Sequence, residues 1–291
     1  MYYKISVFVR QSGSQCGFSS GDSWVVLSPI EQRIKAKIEA VGTPLKDWDV
    51  SICRGILTGY NEAFIISGEK REELIRQDSK SEEIIRPILR GRDVKRYGYE
   101  FADLWLINSH NGIKERGINR IDIEDYPAVK KHLDKYYSQL VKRADKGDTP
   151  YNLRNCAYTE DFSRPKIVWK RVGSILRFSY DEKGYFALDS TCFATGKHIK
   201  YLVAILNSRM GKYLMKDSPK TGTGDLLISV QAIEPLKIPL PPKHILEKFE
   251  YYIDSILLNE SNNSDEEKLL DDYIYKLYDF NEEEIKFINS L

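Results

Sequence analysis

Hydrophobic positions in this chain switch repeatedly between a spacing of two and one near 3.6, and the switches mark out its elements. Near the amino end, Ile5, Val7 and Val9 alternate with Lys4, Ser6 and Phe8, the pattern of a strand. Gln11 to Asp22 then breaks all periodicity, as a loop or linker does. Ser28-Pro29-Ile30-Glu31 joins a capping box to a proline at the first helical position. Ile30, Ile34, Ile38 and Val41 then share one helical face, which Gly42 closes. Ala63 to Ser67 reads as a short buried strand, followed by a charged helix from Glu69 to Gln77. Leu104 to Asn108 is a second buried strand, and it delivers Asn108, His110 and Asn111 to a loop ending at Gly112. One long helix is expected from Asp125 to Ala144, stopped by Gly147. Another is expected from Gly196 to Lys216, with Ile199, Leu202, Val203, Leu206, Met210 and Leu214 inward.

Between those two helices the period returns to two. Lys166 to Val172 follows Pro165 and is rich in β-branched and aromatic residues, so it reads as a strand with Lys170 and Arg171 on opposite faces at its end. Ile175 to Tyr180 and Tyr185 to Asp189 flank Asp181 to Gly184, the signature of a hairpin whose turn closes on a left-handed glycine. Leu176, Phe178 and Tyr180 share a face of its first strand and leave Arg177 on the other. Past Thr221-Gly222-Thr223-Gly224, Leu226 to Ser229 and Leu236 to Pro242 read as extended segments. The end is helical: Ile245 to Leu258, a second capping box at Ser264 to Glu267, Leu269 to Tyr278, and a short last helix capped by Asn281.

Composition narrows the class. With 291 residues, 42% hydrophobic and 30% charged, the chain suits a soluble globular protein with a sizeable core. No apolar run approaches the roughly 18 residues of a membrane span, so no membrane partner is expected. Cys16, Cys53, Cys156 and Cys192 are scattered without a paired spacing, which fits a reducing cytoplasm and indicates neither a zinc site nor a disulfide framework. The net charge of +1 conceals an asymmetry. Lys243 to Leu291 holds 5 lysines against 13 acids, so it carries −8 and the rest of the chain +9. A basic body suggests a polyanionic partner. The alternative is that the two ends neutralise each other across an internal contact.

Candidate chemistry gathers at four places. Ile84 to Tyr97 sets Arg86, Arg90, Arg92, Lys95 and Arg96 against the single acid Asp93, a composition suited to phosphate contacts or to a solvated turn. Tyr151 to Asn155 offers a ring, the amides of Asn152 and Asn155 and the guanidinium of Arg154, groups that read base edges and clamp phosphates. Those asparagines can equally cap the turn they sit in. Lys170, Arg171 and Arg177 follow, and then Lys220 with Thr221 and Thr223, where a glycine-rich turn can present backbone N–H groups to a phosphate. No Gly-Lys-Ser/Thr follows at nucleotide-loop spacing. His110 lacks a histidine or cysteine at metal spacing and reads as a hydrogen-bonding residue.

The runs WDVSICRGILTGYNEAFII, IIRPILRGRDVKRY, LWLINSHNG, DKGDTPYNLRNCAY, IVWKRVGSILRFSYD, LDSTCFATGK and KTGTGDLLISVQAIEPLKIPLPP occur here in order. Together with LDDYIYKLYDFNEEEI they resemble the carboxyl-terminal specificity (target-recognition) region of type IIG restriction–modification enzymes, the TaqI- and Eco57I-like group. The segment from Thr221 to Pro242 is also similar to recognition domains of type I specificity subunits. The resemblance spans roughly residues 24–291. It implies an α+β fold of mixed sheets with flanking helices, recognition loops at one edge and a helical carboxyl-terminal tail. It implies three segments: 1–23 as an amino-terminal strand and flexible stretch, 24–242 as the target-recognition domain, and 243–291 as an acidic helical tail.

The partner implied is double-stranded DNA, with Arg90, Arg92, Lys95, Arg96, Lys170, Arg171, Arg177, Lys220, Thr221 and Thr223 toward phosphates and Asn152, Arg154 and Asn155 toward bases. The chain departs from the full-length enzymes in lacking their Asn-Pro-Pro-Tyr tetrapeptide, their glycine-rich S-adenosylmethionine loop and a Pro-Asp…Glu-x-Lys nuclease motif on a strand. Sequence-specific DNA recognition without catalysis by this chain alone is therefore expected. S-adenosylmethionine and Mg2+ would belong to a parent enzyme, its methyltransferase and nuclease domains supplied in cis or in trans. The alternative is the carboxyl-terminal piece of a bifunctional adenine methyltransferase–endonuclease, and a third reading is a protein-interaction module working through its acidic tail.

Overall fold

The computed structural model describes residues 27–259 and 263–291, so the strand expected at Tyr3–Val9, the loop at Gln11–Asp22 and Cys16 lie outside it. Helix α1 (Pro29–Val41) starts where the capping box sets it: Ser28 Oγ accepts the Glu31 N–H and the Glu31 carboxylate accepts the Ser28 N–H. Strands β1 (Thr43–Pro44) and β2 (Val50–Arg54) follow, then a single turn α2 (Asn61–Phe64), β3 (Ile65–Ser67) and α3 (Gly68–Gln77). Next come β4 (Ile85–Leu89) and β5 (Leu104–Ile107), the second where its apolar run predicts it. The helix expected over Asp125–Ala144 is two helices, α4 (Pro127–Asp134) and α5 (Tyr137–Lys142), parted at Lys135 and Tyr136. Strands β6 (Lys166–Lys170), β7 (Val172–Gly173), β8 (Phe178–Asp181), β9 (Phe186–Ala187) and β10 (Thr191–Gly196) form the middle of the chain.

The helix expected over Gly196–Lys216 is likewise divided. Gly196 ends β10, α6 (Ile199–Asn207) follows, and α7 (Arg209–Leu214) starts afresh. The break has a cause: the Asn207 side chain bonds both the N–H and the carbonyl of Phe178, and Ser208 caps the new helix by accepting the Gly211 N–H. After β11 (Leu226–Leu227), α8 (Val230–Ile233) and β12 (Lys237–Ile238), the chain ends in α9 (Lys243–Leu258), α10 (Ser264–Leu277) and α11 (Glu282–Asn289). Helix α11 has a full capping box between Asn281 and Glu284. Helix α10 does not: its cap is Asn263, without a side-chain bond, so the box expected at Ser264 does not form.

The strands form two four-stranded sheets, β2-β10-β6-β8 and β3-β5-β4-β9, and two short ladders, β1-β12 and β7-β11. The hairpin expected between Ile175–Tyr180 and Tyr185–Asp189 is not made. Instead β8 turns back on β6, with Asp181 opposite Lys166 and Phe178 opposite Trp169, while β9 crosses to lie parallel to β4 in the other sheet. Lys166 explains the choice. Its ammonium is wholly buried against the Asp181 carboxylate, which also accepts the Tyr99 hydroxyl and the N–H groups of Lys183 and Tyr185. Burial draws the Lys166 pKa down and the Asp181 charge holds it up.

Alternation along β6 and β10 makes the first sheet a wall between two cores. Ile167, Trp169, Cys192 and Ala194 face α6 and the carboxyl-terminal helices, where Tyr201, Phe249, Ile253, Ile274 and Tyr278 are buried with them. Val168 and Phe193 face the other way, into a core shared with Phe64, Ile88, Leu106, Val129 and Phe162. The helical tail expected from the sequence is made of α9, α10 and α11, which share the first core. They also meet the amino-terminal helix in charge: Arg33 pairs with Glu283 at 2.6 Å and Lys37 with the buried Glu284 at 2.8 Å. The internal neutralisation read as an alternative from the charge count is thus partly real.

Candidate functional site

Loops on the β4-to-β10 side carry most of the polar groups picked out above. After β4 the chain turns sharply at Arg90–Asp93. The Asp93 carboxylate accepts the Arg90 backbone N–H at 2.8 Å and grips its guanidinium at 3.0 and 2.8 Å. Gly91 sits at the closest point: its N–H donates to Ser190 Oγ at 3.1 Å, and a Cβ there would meet the Lys170 side chain at 2.9 Å. The turn therefore presses Arg90 and Arg92 against the end of β6. Together with Lys170, Asn61, Asp189 and Ser190 they line a cleft of about 490 Å³. Arg90 is neutralised by Asp93, whereas Arg92 and Lys170 are exposed and form no ion pair among the described residues.

The same basic run then divides. Lys95 pairs with Glu100 at 2.9 Å, and Arg96 reaches the carboxyl-terminal helices, where it binds Glu267 at 2.6 Å and the Asn207 carbonyl at 2.8 Å. Arg96, Arg209, Lys212 and Lys220 line a large groove of about 1290 Å³ opposite Glu267 and Asp271. Arg171 is half-buried, its backbone tied to Ser190 and Ile228 and its Nε without a partner among the described residues. Arg177 and Lys220 are exposed and unpaired among the described residues. Thr221 and Thr223 bond each other at 2.8 Å, and the N–H groups of Thr221 and Gly224 go to the carbonyls of Asp225 and Thr221. Those two N–H groups are occupied in closing the turn, whereas the N–H groups of Gly222 and Thr223 have no backbone partner among the described residues.

The loop from Asp145 to Cys156 is braced from within. Asn152 is only 1% exposed. Its Oδ1 accepts the Thr149 hydroxyl at 2.6 Å, and its Nδ2 donates to the Ile121 carbonyl at 2.9 Å with those of Ser109 and His110 at 3.4 Å. Arg143 donates to the carbonyls of Thr58, Pro150 and Asn152, and Leu153 is buried beneath. Burial lowers the Arg143 pKa to about 10, which leaves it charged at neutral pH. Asn152 is thus a structural amide rather than the base reader expected of it, because its hydrogen-bonding capacity is consumed inside the loop. Its neighbours turn outward. Arg154 is exposed beside Asp145 at 3.1 Å, and exposed Asn155 accepts from Asn111 Nδ2 at 2.5 Å.

Arg154 and Asn155 open onto a cavity of about 360 Å³ whose lining includes Arg54, Leu57, Asn108, His110, Leu153 and Tyr158. The Arg54–Asp189 pair at 3.5 Å makes it a neighbour of the Arg92–Lys170 cleft. His110 Nδ1 accepts the Gly112 N–H at 3.1 Å, which fixes the ring proton on Nε2. Burial, aided by Arg86, lowers the His110 pKa and keeps the ring neutral. Burial pushes the Tyr158 hydroxyl up to about 12. Asn108 and His110 carry a legible signal, polar residues directly after the apolar run of β5, yet they fall outside the contact residues expected from the sequence. Arg54, at the end of an ordinary strand sequence, gives none. Among the described residues no three His, Cys, Asp or Glu side chains lie together as a metal site, and no helix is long and apolar enough to cross a membrane.

Comparison with known proteins fits this arrangement. Residues 86–238 match the model of the TaqI-like C-terminal specificity domain. The match covers more than half of the chain, and the chain belongs to that family. Among solved structures it is similar to the type IIL restriction–modification enzyme MmeI in complex with DNA, with a TM-score of 0.63 and 12% identity over 86% of this chain and 37% of that one. It is also similar to the type IIG restriction endonuclease BpuSI, with a TM-score of 0.46 and 14% identity over 86% of this chain and 33% of that one. The likeness to MmeI is one of fold. The chain spans about a third of the length of these two enzymes. No curated protein matches it.

Proposed function

We propose that this chain recognises a short sequence in double-stranded DNA as the specificity domain of a restriction–modification system. The observation that carries the reading is that the family match, residues 86–238, contains the Gly91 turn, the Asn152-braced loop and the exposed cations Arg92, Lys170, Arg177 and Lys220, which form no ion pair among the described residues. Cations would hold phosphates and fix the register, while Arg154 and Asn155, on a loop whose backbone is already tied down, would touch base edges. A loose loop would lose that discrimination to the entropy of ordering it. Methyl transfer and cleavage, with their S-adenosylmethionine and Mg2+, would fall to domains outside this chain, in cis or in trans. A cytoplasmic setting suits the free thiols of Cys53, Cys156 and Cys192.

Repeated selection from a random duplex library on the immobilised chain tests the reading. Enrichment of one short sequence is expected, and a pool that stays random would overturn it. A second reading, that the chain is part of a bifunctional adenine methyltransferase–endonuclease, is favoured by its covering 37% of the MmeI chain. The reading frame around its gene checks that directly.

A further inference from the structure

The lining of the 360 Å³ cavity includes a side-chain amide that no protein group engages among the described residues. Asn108 is 7% exposed, and its side-chain amide has no hydrogen-bond partner among the described residues. Its neighbours behave otherwise: Ser109, Asn111 and Asn152 all bond within the protein. The polar atoms of Asn108 are not sealed inside the fold, so they stay open to a partner that enters the cavity. Around it the lining is mixed, with Leu57 and Leu153 as apolar wall and the Nε2–H of His110 as a further donor. Arg54 and Arg154, with side chains 43% and 56% exposed, stand toward solvent.

We infer that this cavity takes a single nucleobase unstacked from the duplex and that Asn108 reads its edge. The inference rests on the DNA-binding reading above. A double helix presents its stacked bases inside a groove, between two raised backbones, and cannot lower them to the bottom of a pocket. One extruded base can enter. The amide supplies the paired donor and acceptor that a Watson–Crick edge requires, the apolar walls cover its faces, and Arg54 meets an adjacent phosphate. Asn108 is thereby a specificity-determining residue, distinct from Arg154 and Asn155, which face bases left in the stack.

The test uses the whole chain and labelled duplexes of the enriched sequence, with one unpaired A, C, G or T stepped through it. At one position, one of the four should bind about tenfold tighter than the paired duplex, since the extrusion has been done in advance. Asn108→Leu should abolish that preference and weaken the paired duplex of the enriched sequence, while duplex of random sequence binds as before. Leu57→Phe, which fills the cavity from another wall, should do the same without touching the amide, so either variant can report if the other folds poorly. Equal binding of paired and unpaired duplexes by the native chain, or a preference retained in both variants, overturns the inference while the DNA-binding reading stands. Failure to bind any duplex removes both.

Discussion

Two groups of cations in this chain differ in what faces them. Around the Gly91 turn and the β7–β11 ladder, Arg92, Lys170, Arg177 and Lys220 are exposed and form no ion pair among the described residues. Where β4's loop reaches the carboxyl-terminal helices, Arg96 is clamped by Glu267, with the Asp271 carboxylate lining the same groove. Arg92 and Arg96 are four residues apart in one basic run, yet only Arg92 has a free charge to offer a polyanion. A cation already matched inside the fold must break that match before it helps a ligand. Counting charges in a sequence therefore overstates a binding surface, and subtracting the internal pairs corrects the count.

The hardest way to break this comparison is through the sheet that both regions share. Lys166→Met leaves the Asp181 carboxylate buried without its partner and should cost about 3–5 kcal/mol of stability in urea denaturation. A cost below about 1 kcal/mol would show that the pair does not hold β6 to β8. Next is the brace beneath Arg154. Asn152→Ala orphans the Ile121 carbonyl and the Thr149 hydroxyl, and should cost about 1–3 kcal/mol. It should weaken binding to the enriched sequence more than to random duplex; equal losses would mean that the loop reads nothing.

Salt titration sharpens the contrast itself. Arg92→Ala with Lys170→Ala should flatten the slope of log K against log salt by about 2, roughly one for each phosphate no longer held. Arg96→Ala should leave that slope unchanged and alter stability by less than about 1 kcal/mol, as half-exposed pairs do. The opposite ranking would reverse the assignment of the two groups. The smallest effect is with pH. Burial lowers the pKa of both His110 and His132, so the folded chain resists protons that the unfolded chain accepts. Their contribution is whole above about pH 6.5 and is lost as pH falls below it, which melting curves in mildly acidic buffer will register as a modest decline. A melting temperature that rises over the same range would contradict the burial of these rings.

What the sequence revealed and what it hid divide by distance along the chain. The capping box at Ser28, the strand at Leu104 and the final helix behind Asn281 depend on neighbours a few residues away, and all are where the pattern puts them. The break at Ser208 depends on Asn207 bonding Phe178, 29 residues earlier, which no local period can register. Likewise β8 pairs with β6 because a lysine and an aspartate 15 residues apart are buried together. At the site, composition flagged Asn152, Arg154 and Asn155 alike. Which of them turns inward is decided by the carbonyls of Ser109, His110 and Ile121 on another loop.

The brace formed by Asn152 has a consequence for descent as well as for binding. It grips main-chain carbonyls, which every amino acid carries, and so it does not depend on what stands at Arg154 and Asn155. A lineage can rewrite those two positions one codon at a time while the loop keeps its path. On the proposed reading, new targets would become reachable by single steps through folded intermediates, with the residues that preserve the shape separate from the residues that spell the message.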